Sequence, residues 1–324
     1  MRTIGILTSG GDAPGMNAAI RAAVRTATCY DVRVVAYLDG YAGLIAGEHA
    51  PLDDRAVGNI LHRGGTIIGT SRCPEFFDPA VRAAAAARMR DDGVEGLIVI
   101  GGDGSFRGAL ALFQEHGVPV VGVPGTIDND IWGTDETIGF DTAVNTAVRA
   151  IDQVRDTSES TGMMFFVEVM GRTSGAIALH VGVAAGAASV VVPETREDVE
   201  SIAERIRRSI SRGKRSHIIV VAEGDETGGA FGFAKRFEAV MPEHPYRVLV
   251  LGHIQRGGTP TARDRIIASL SGASAVEALV NGRSGVMIGI RCGRPVEVTL
   301  EEVLAHGKPD PDFGMLQLAQ ALAG

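Results

Sequence analysis

Short apolar runs that end in glycine alternate along this chain with longer stretches in which apolar residues recur every three or four positions. Residues 3–7 form the first run, and the loop Thr8-Ser9-Gly10-Gly11-Asp12-Ala13-Pro14-Gly15 follows it. From Met16 to Cys29, Ile20, Ala23, Val24 and Ala27 share one helical face, so the opening reads as strand, glycine loop, helix. The same order returns: residues 32–37 predict a strand, 79–90 an alanine-rich helix, and 96–100 a strand that runs into Gly101-Gly102-Asp103-Gly104-Ser105. A helical stretch then leads to the apolar segment at Val120, which ends in Pro124-Gly125-Thr126-Ile127-Asp128-Asn129-Asp130. Repeated strand and helix alternation predicts parallel pairing and right-handed crossovers.

The pattern continues past Asp130. Residues 142–154 place Val144, Ala147, Val148, Ile151 and Val154 at helical spacing, and residues 163–170 predict a buried strand that ends in Gly171-Arg172-Thr173-Ser174-Gly175. Further strands fall at 189–192, 218–222 and 248–251, separated by helices such as 199–210, with Val199, Ile202, Ile206 and Ile210 on one face. A length of 324 residues exceeds the usual single core, so two α/β lobes are expected. No linker rich in proline or serine divides them, which predicts crossing segments and a cleft.

Composition narrows the chemistry. The 43 glycines suggest tight turns near ligands, and a formal net charge of -8 argues against nonspecific nucleic-acid binding, which needs a basic face. A small anionic substrate stays compatible, because a local arginine cluster can hold it. Cys29, Cys73 and Cys292 are widely spaced and odd in number, so they form neither a disulfide framework nor a metal-ligand pattern and fit a reducing cytoplasm. No long apolar segment follows a basic start, which predicts neither a signal peptide nor a membrane span.

A glycine loop after a strand brings backbone N–H groups to a phosphate, although a plain turn is its commoner use. Asp103, Asp128 and Asp130 stand at strand ends beside such loops. Carboxylates there can hold Mg²⁺ together with substrate phosphates, or take a proton from an attacking hydroxyl; an Asx turn is the plain alternative. Arg72, Arg172, Arg247 and Arg256 lie in or beside glycine-bearing or strand-end segments, where a guanidinium can fork onto phosphate oxygens. There is no Gly-x-x-x-x-Gly-Lys-Ser/Thr loop, and the first turn lacks the Gly-x-Gly-x-x-Gly of nicotinamide enzymes. Phosphoryl transfer to a hydroxyl is the chemistry this inventory favours.

The segments from Thr8 to Asn17, Gly101-Gly102-Asp103-Gly104-Ser105, Pro124 to Asp130, Met170-Gly171-Arg172 and Gly252-His253-Ile254-Gln255-Arg256-Gly257-Gly258 closely resemble the bacterial 6-phosphofructokinases, in order and spacing, from residue 3 to about residue 278. The resemblance implies two Rossmann-like lobes: an ATP-binding lobe at 1–138 plus about 254–304, and a sugar-phosphate lobe at 139–253 plus about 305–324. It further implies a cytoplasmic enzyme, usually a homotetramer, that moves a phosphoryl group from Mg²⁺-ATP to the 1-hydroxyl of fructose 6-phosphate. By the same resemblance Asp128 is the base, Thr126 and Arg172 stabilise the transferring group, Asp103 engages Mg²⁺ and Asp130 stands close by. Gly11, Tyr41, Arg72, Cys73, Gly104, Ser105 and Gly108 would line the nucleotide site. Met170, Gly171, Glu223, His253 and Arg256 would hold the sugar, with Arg247 reaching its 6-phosphate from a neighbouring subunit.

Pyrophosphate-using relatives carry aspartate where Gly104 stands and lysine where Gly125 stands, so the two glycines imply ATP as donor. Met163 replaces a family arginine for the 6-phosphate, which opens the alternative of another sugar as acceptor. Phe77 also replaces an arginine near the nucleotide. Arg21, Arg25, Arg155, Arg212 and Lys214 match the family's effector positions, but Asp54 and Ala188 replace an arginine and an acid there, which predicts weak or altered allosteric control. A catalytically silent regulatory subunit is the alternative of a different class, and the joint presence of Asp103, Thr126, Asp128 and Arg172 argues against it.

Overall fold

The computed structural model describes residues 1–195, 198–224, 228–310 and 312–322. In chain order its strands are β1 (Thr3–Ser9), β2 (Arg33–Tyr37), β3 (His49–Leu52), β4 (Gly96–Gly101), β5 (Val120–Pro124), β6 (Met164–Val169), β7 (Ser189–Val191), β8 (His217–Ala222), β9 (Tyr246–Val250), β10 (Val286–Arg291) and β11 (Arg294–Thr299). Its helices are α1 (Met16–Cys29), α2 (Tyr41–Ala46), α3 (Pro79–Asp91), α4 (Asp103–His116), α5 (Phe140–Thr161), α6 (Ala176–Ala184), α7 (Val199–Ser211), α8 (Gly229–Val240), α9 (Ala262–Val280), α10 (Leu300–His306) and α11 (Phe313–Leu322). The chain divides into two compact units: residues 1–127, 131–142 and 256–309 form one, and residues 128–130, 143–255 and 310–324 the other.

The first unit carries a seven-stranded sheet in the order β11-β10-β5-β4-β1-β2-β3. Every residue of β1, β4 and β5 is buried, as expected for central strands covered on both faces. The parallel pairing predicted from the sequence holds for the inner strands and fails at both edges, where β3 runs antiparallel to β2 and β11 antiparallel to β10. Between β10 and β11 only Cys292 and Gly293 intervene, both at positive φ, and so short a turn can join only antiparallel neighbours.

Helix α5 runs seven residues past the apolar stripe that predicted it, through polar Arg155 to Thr161. Ser160 and Thr161 donate their hydroxyls to the carbonyls of Asp156 and Thr157, at 2.8 and 2.7 Å, and buried Ser158 donates to the Met163 carbonyl at 2.8 Å, so the last turns close on nearby backbone without an apolar stripe. Helix α9 shows the opposite case. Gly272 lies directly against the Ala19 carbonyl of α1, and the buried Ile267, Ala268, Ser271, Ala275, Val276 and Leu279 share its face, but exposed Ile266 and Leu270 make the helix apolar on a second side and blur the stripe.

Asp264, in the first turn of α9, is fully buried and accepts from the backbone N–H groups of Gly139 and Thr142, each at 2.8 Å, and from the Thr142 hydroxyl. It thereby caps α5 from a different helix. Burial pushes its carboxyl up to about 6, against the opposing pull of those three donors. A carboxyl raised in the folded state adds stability that is fully present below the unfolded value near 4 and is lost as pH rises through about 6. Denaturant titrations should therefore show wild type losing on the order of 1–3 kcal/mol between pH 4 and 7 relative to Asp264→Asn. Parallel pH profiles of the two proteins would refute this.

The second unit carries the four-stranded sheet β7-β8-β6-β9, parallel throughout. Its core packs Phe166, Phe233, Phe237, Ile202, Ile206 and Ile219. Phe166 sits 5.4 Å from the Phe237 ring and 5.6 Å from the Tyr246 ring, both edge-on. Burying each side chain of this size stabilises by roughly 1.5–3 kcal/mol.

Candidate active site

Ser9 of β1 is in register with Gly101 of β4, and Gly101 with Pro124 of β5, so three strands discharge their loops at one edge of the first sheet. Strand order reverses between β1 and β4, and outside the carboxyl ends of such a pair is where open α/β sheets take ligands. Gly10-Gly11-Asp12, Gly102-Asp103-Gly104 and Gly125-Thr126 therefore meet there.

Long-range hydrogen bonds pin these loops. Ser105 Oγ donates to the Ser9 carbonyl at 3.0 Å, and Tyr41 Oη donates to the Ser105 carbonyl at 2.6 Å. Tyr41 is buried, which raises its phenol far above the ordinary value, and it stacks on Phe76 with ring centres 4.0 Å apart. A Cβ on Gly108 would lie 3.0 Å from Tyr41 Cζ and 3.1 Å from Phe76 Cδ1. Tyr41, Ser105 and Gly108 thus build the floor beneath the second glycine loop, and their side positions are filled by protein.

The segment from Arg63 to Arg72 closes over the first loop. Buried Asn17 donates to the carbonyls of Arg63 and Gly64 and accepts from Ile67 N. Thr8 Oγ1 donates to the Gly69 carbonyl at 2.6 Å, Thr70 Oγ1 to the Gly10 carbonyl at 3.0 Å, and Gly10 N to the Ser71 carbonyl at 3.1 Å. Exposed Arg72 directly follows Ser71, whose carbonyl is bonded to Gly10. Arg256 arrives from the far end of the chain: its Nη1 donates to the Asp12 carbonyl at 3.2 Å, and a Cβ on Gly11 would stand 2.6 Å from that same nitrogen. Cys73 is half-buried, with its thiol raised by burial first and by its 3.5 Å contact to Glu75 next. Phe77 is 73% exposed on a turn that Arg82 holds by donating to the Phe76 and Phe77 carbonyls, at 2.9 and 2.7 Å.

Asp103 opens α4, and Arg107 forks onto its carboxylate with Nε to Oδ2 at 2.9 Å and Nη2 to Oδ1 at 3.3 Å. The oxygen-only character of this carboxylate suits Mg²⁺. Among the described residues no group of three or more histidines, cysteines or acids is poised to hold a metal. Thr126 is half-buried and its carbonyl accepts from Thr137 Oγ1 at 2.6 Å. Asp128 is buried, Asp130 half-buried, and Asn129 between them is held at φ 49°. The two glycines assigned to donor choice differ in surroundings. A Cβ on Gly104 meets nothing within 4 Å, whereas one on Gly125 would lie 2.8 Å from Ile100 Cγ2 and 3.2 Å from Met16 Cε, so packing also demands Gly125.

In the second unit, Val169 of β6 is in register with Ala222 of β8, and Glu168 with Val250 of β9. Met170, Gly171 and Arg172, then Glu223, then His253 consequently follow at one edge of that sheet. Arg172 sits at φ 55°, a conformation an arginine seldom adopts, and its backbone N–H donates to Glu223 Oε1 at 2.8 Å. Gln255 Oε1 accepts from Met170 N at 2.8 Å. Arg247 lies at the opposite edge, paired with Phe165, and Met163 directly precedes β6 there. Four steps of strand rise, roughly 13 Å, separate that level from Val169 at the far end of β6, after which the chain turns into Met170-Gly171-Arg172.

The effector candidates divide between the units. Arg21 and Arg25 share α1 in the first, where exposed Asp54 accepts from Thr28 Oγ1 at 3.4 Å. In the second, Arg155 donates to the Ala185 carbonyl beside buried Ala188, and Arg212 and Lys214 follow α7. No helix among the described residues is long and apolar enough to cross a membrane. Sequence reasoning assigned no role to Arg107, Asn17, Gln255 or Asp264; for Arg107 the four-residue spacing from Asp103 was the available signal.

Residues 3–279 match the family model described as Phosphofructokinase. The chain is 56% identical over 326 residues to ATP-dependent 6-phosphofructokinase 1 of Thermus thermophilus, and 51% identical over 323 residues to ATP-dependent 6-phosphofructokinase of Bacillus cytotoxicus, with 100% of both chains covered in each case. Among solved structures it superposes on Pichia pastoris phosphofructokinase in the T-state with a TM-score of 0.87 and 36% identity, over 94% of this chain and 35% of that longer one. The pyrophosphate-dependent phosphofructokinase from Marinobacter aquaeolei shares the fold, with a TM-score of 0.87 at 22% identity over 100% of this chain and 92% of that one.

Proposed function

This chain belongs to the phosphofructokinase family, and on that footing we infer that it transfers the γ-phosphoryl group of ATP to the 1-hydroxyl of fructose 6-phosphate, giving fructose 1,6-bisphosphate and ADP in glycolysis. The observation that carries the reading is the common register of Ser9, Gly101 and Pro124, which sets two glycine loops, Asp103 and Thr126 at one sheet edge.

The residues divide the work as follows. Backbone N–H groups of the loops after β1 and β4, with the N-terminus of α4, receive the nucleotide phosphates, and Arg72 adds charge beside the first loop. Asp103 would hold Mg²⁺, which arrives with the nucleotide and supplies positive charge to the phosphate oxygens. Asp128 takes the proton from the sugar's 1-hydroxyl as its oxygen bonds to the γ-phosphorus and the bond to the β-phosphate oxygen breaks. Thr126 and Arg172 offset the charge that spreads over the transferring oxygens, and Glu223 keeps Arg172 in its strained backbone state. Met170, Gly171, Glu223, His253 and Arg256 would hold the sugar, as the family motifs they match imply.

Arg247 sits at the wrong edge of its own sheet to join this site, which supports a role on a second copy of the chain and hence a homo-oligomer, a tetramer by family precedent. Met163 removes one phosphate contact, and Arg247 supports the other. Each charge-assisted contact contributes about 1.5–3 kcal/mol, so fructose 6-phosphate should exceed unphosphorylated fructose in kcat/KM by at least roughly 10- to 150-fold, and Arg247→Ala should remove most of that margin. Hybrids of Arg247→Ala with Asp128→Ser chains should turn over fructose 6-phosphate with a kcat/KM above that of either variant alone. A higher kcat/KM for the unphosphorylated sugar would overturn the acceptor, and inert hybrids the shared site.

A further inference from the structure

We propose that Arg107 is a ligand for the nucleotide's phosphate oxygens, held in reserve on Asp103 until magnesium takes its place. The proposal rests on the assignment of ATP to this sheet edge. Both oxygens of the Asp103 carboxylate are occupied by the Arg107 fork, at 2.9 and 3.3 Å, and these are the oxygens a metal would need. A guanidinium and a divalent cation cannot share them without repulsion, so loading Asp103 with metal must release Arg107.

The release is easy. The two side chains are 54% and 43% exposed, and an exposed pair four residues apart on a helix holds by only about a twofold preference. Where the guanidinium then goes follows from its position. It sits one turn into α4, at the positive end of the helix, where a cation without an anionic partner is disfavoured. The space beside it, over Gly104, is open to at least 4 Å around a built Cβ. A polyphosphate laid along the helix N-terminus supplies the missing anion, and the planar fork of arginine fits its oxygens in pairs. One side chain would thus neutralise the site when it is empty and grip the donor when it is full.

Titration calorimetry on wild type, Arg107→Gln, Asp103→Asn and the double variant tests this, with the β,γ-imido analogue of ATP plus Mg²⁺ and, separately, with ATP in EDTA. Arg107→Gln should bind the magnesium complex about 10- to 100-fold more weakly, as for one charge-assisted contact. Without metal, Asp103→Asn should bind ATP more tightly than wild type, because its arginine is no longer engaged, and the double variant should lose that gain. Affinity within twofold of wild type in Arg107→Gln, or a gain from Asp103→Asn that survives removal of Arg107, overturns the proposal. Wild type that fails to bind either nucleotide form would instead overturn the nucleotide site itself, and with it this role for Arg107.

Discussion

Asp128→Ser should lower kcat for fructose 6-phosphate by roughly 10²–10⁴-fold, the range a positioned general base supplies, while KM for Mg²⁺-ATP stays within a few-fold. The split follows from where Asp128 stands. It is buried two residues beyond Thr126, on a loop whose next residue, Asn129, is locked at φ 49°, so the carboxylate is placed by a backbone that has little freedom to relax. Serine keeps a polar group of smaller size there but cannot hold a proton taken from an alcohol. In the proposed site the nucleotide phosphates meet the loops after β1 and β4 instead, which the substitution leaves intact. Steady-state kinetics at saturating Mg²⁺-ATP decide the matter. A kcat within tenfold of wild type would take the base role from Asp128, and equal background turnover in both proteins would revive the catalytically silent subunit.

The readable and unreadable parts of this molecule separate along physical lines. β1, β4 and β5 are buried on both faces, so each is an unbroken apolar run in the sequence, and the loops behind them are contiguous motifs. β3 and β11 are edge strands with half-exposed faces, and their polar residues hide them in the pattern. Helix α9 is apolar on two sides and polar α5 continues without a stripe, so a single-face period finds neither in full. In the site, residue types were legible wherever a loop presents them side by side. Pairings made by folding were not: Arg256 reaches Asp12 across 244 residues, and Tyr41 reaches Ser105 across 64. The family resemblance gives Tyr41, Ser105 and Gly108 as lining of a nucleotide site, and in three dimensions they pack into the floor beneath the loop after β4.

Gly104→Asp should reduce kcat/KM for ATP by roughly 10²- to 10³-fold and leave the fold intact. The built Cβ at Gly104 meets nothing within 4 Å, so the protein itself does not resist the side chain. Asp also suits the place, since Gly104 is in the first turn of α4 and a carboxylate there complements the helix dipole while removing the flexibility of glycine. Thermal unfolding should accordingly be unchanged or slightly raised. What the carboxylate would meet in the proposed site is the nucleotide: a unit negative charge about 4 Å from a phosphate oxygen would be opposed by roughly 4 kcal/mol at an effective dielectric near 20, which is close to a thousandfold. Gly125→Lys cannot make the same case, because its Cβ would press on Ile100 and Met16, so a lost activity there mixes repacking with donor choice. Gly104 isolates the electrostatic effect, and an unchanged apparent affinity for ATP in Gly104→Asp would mean that the donor is selected elsewhere along the loop.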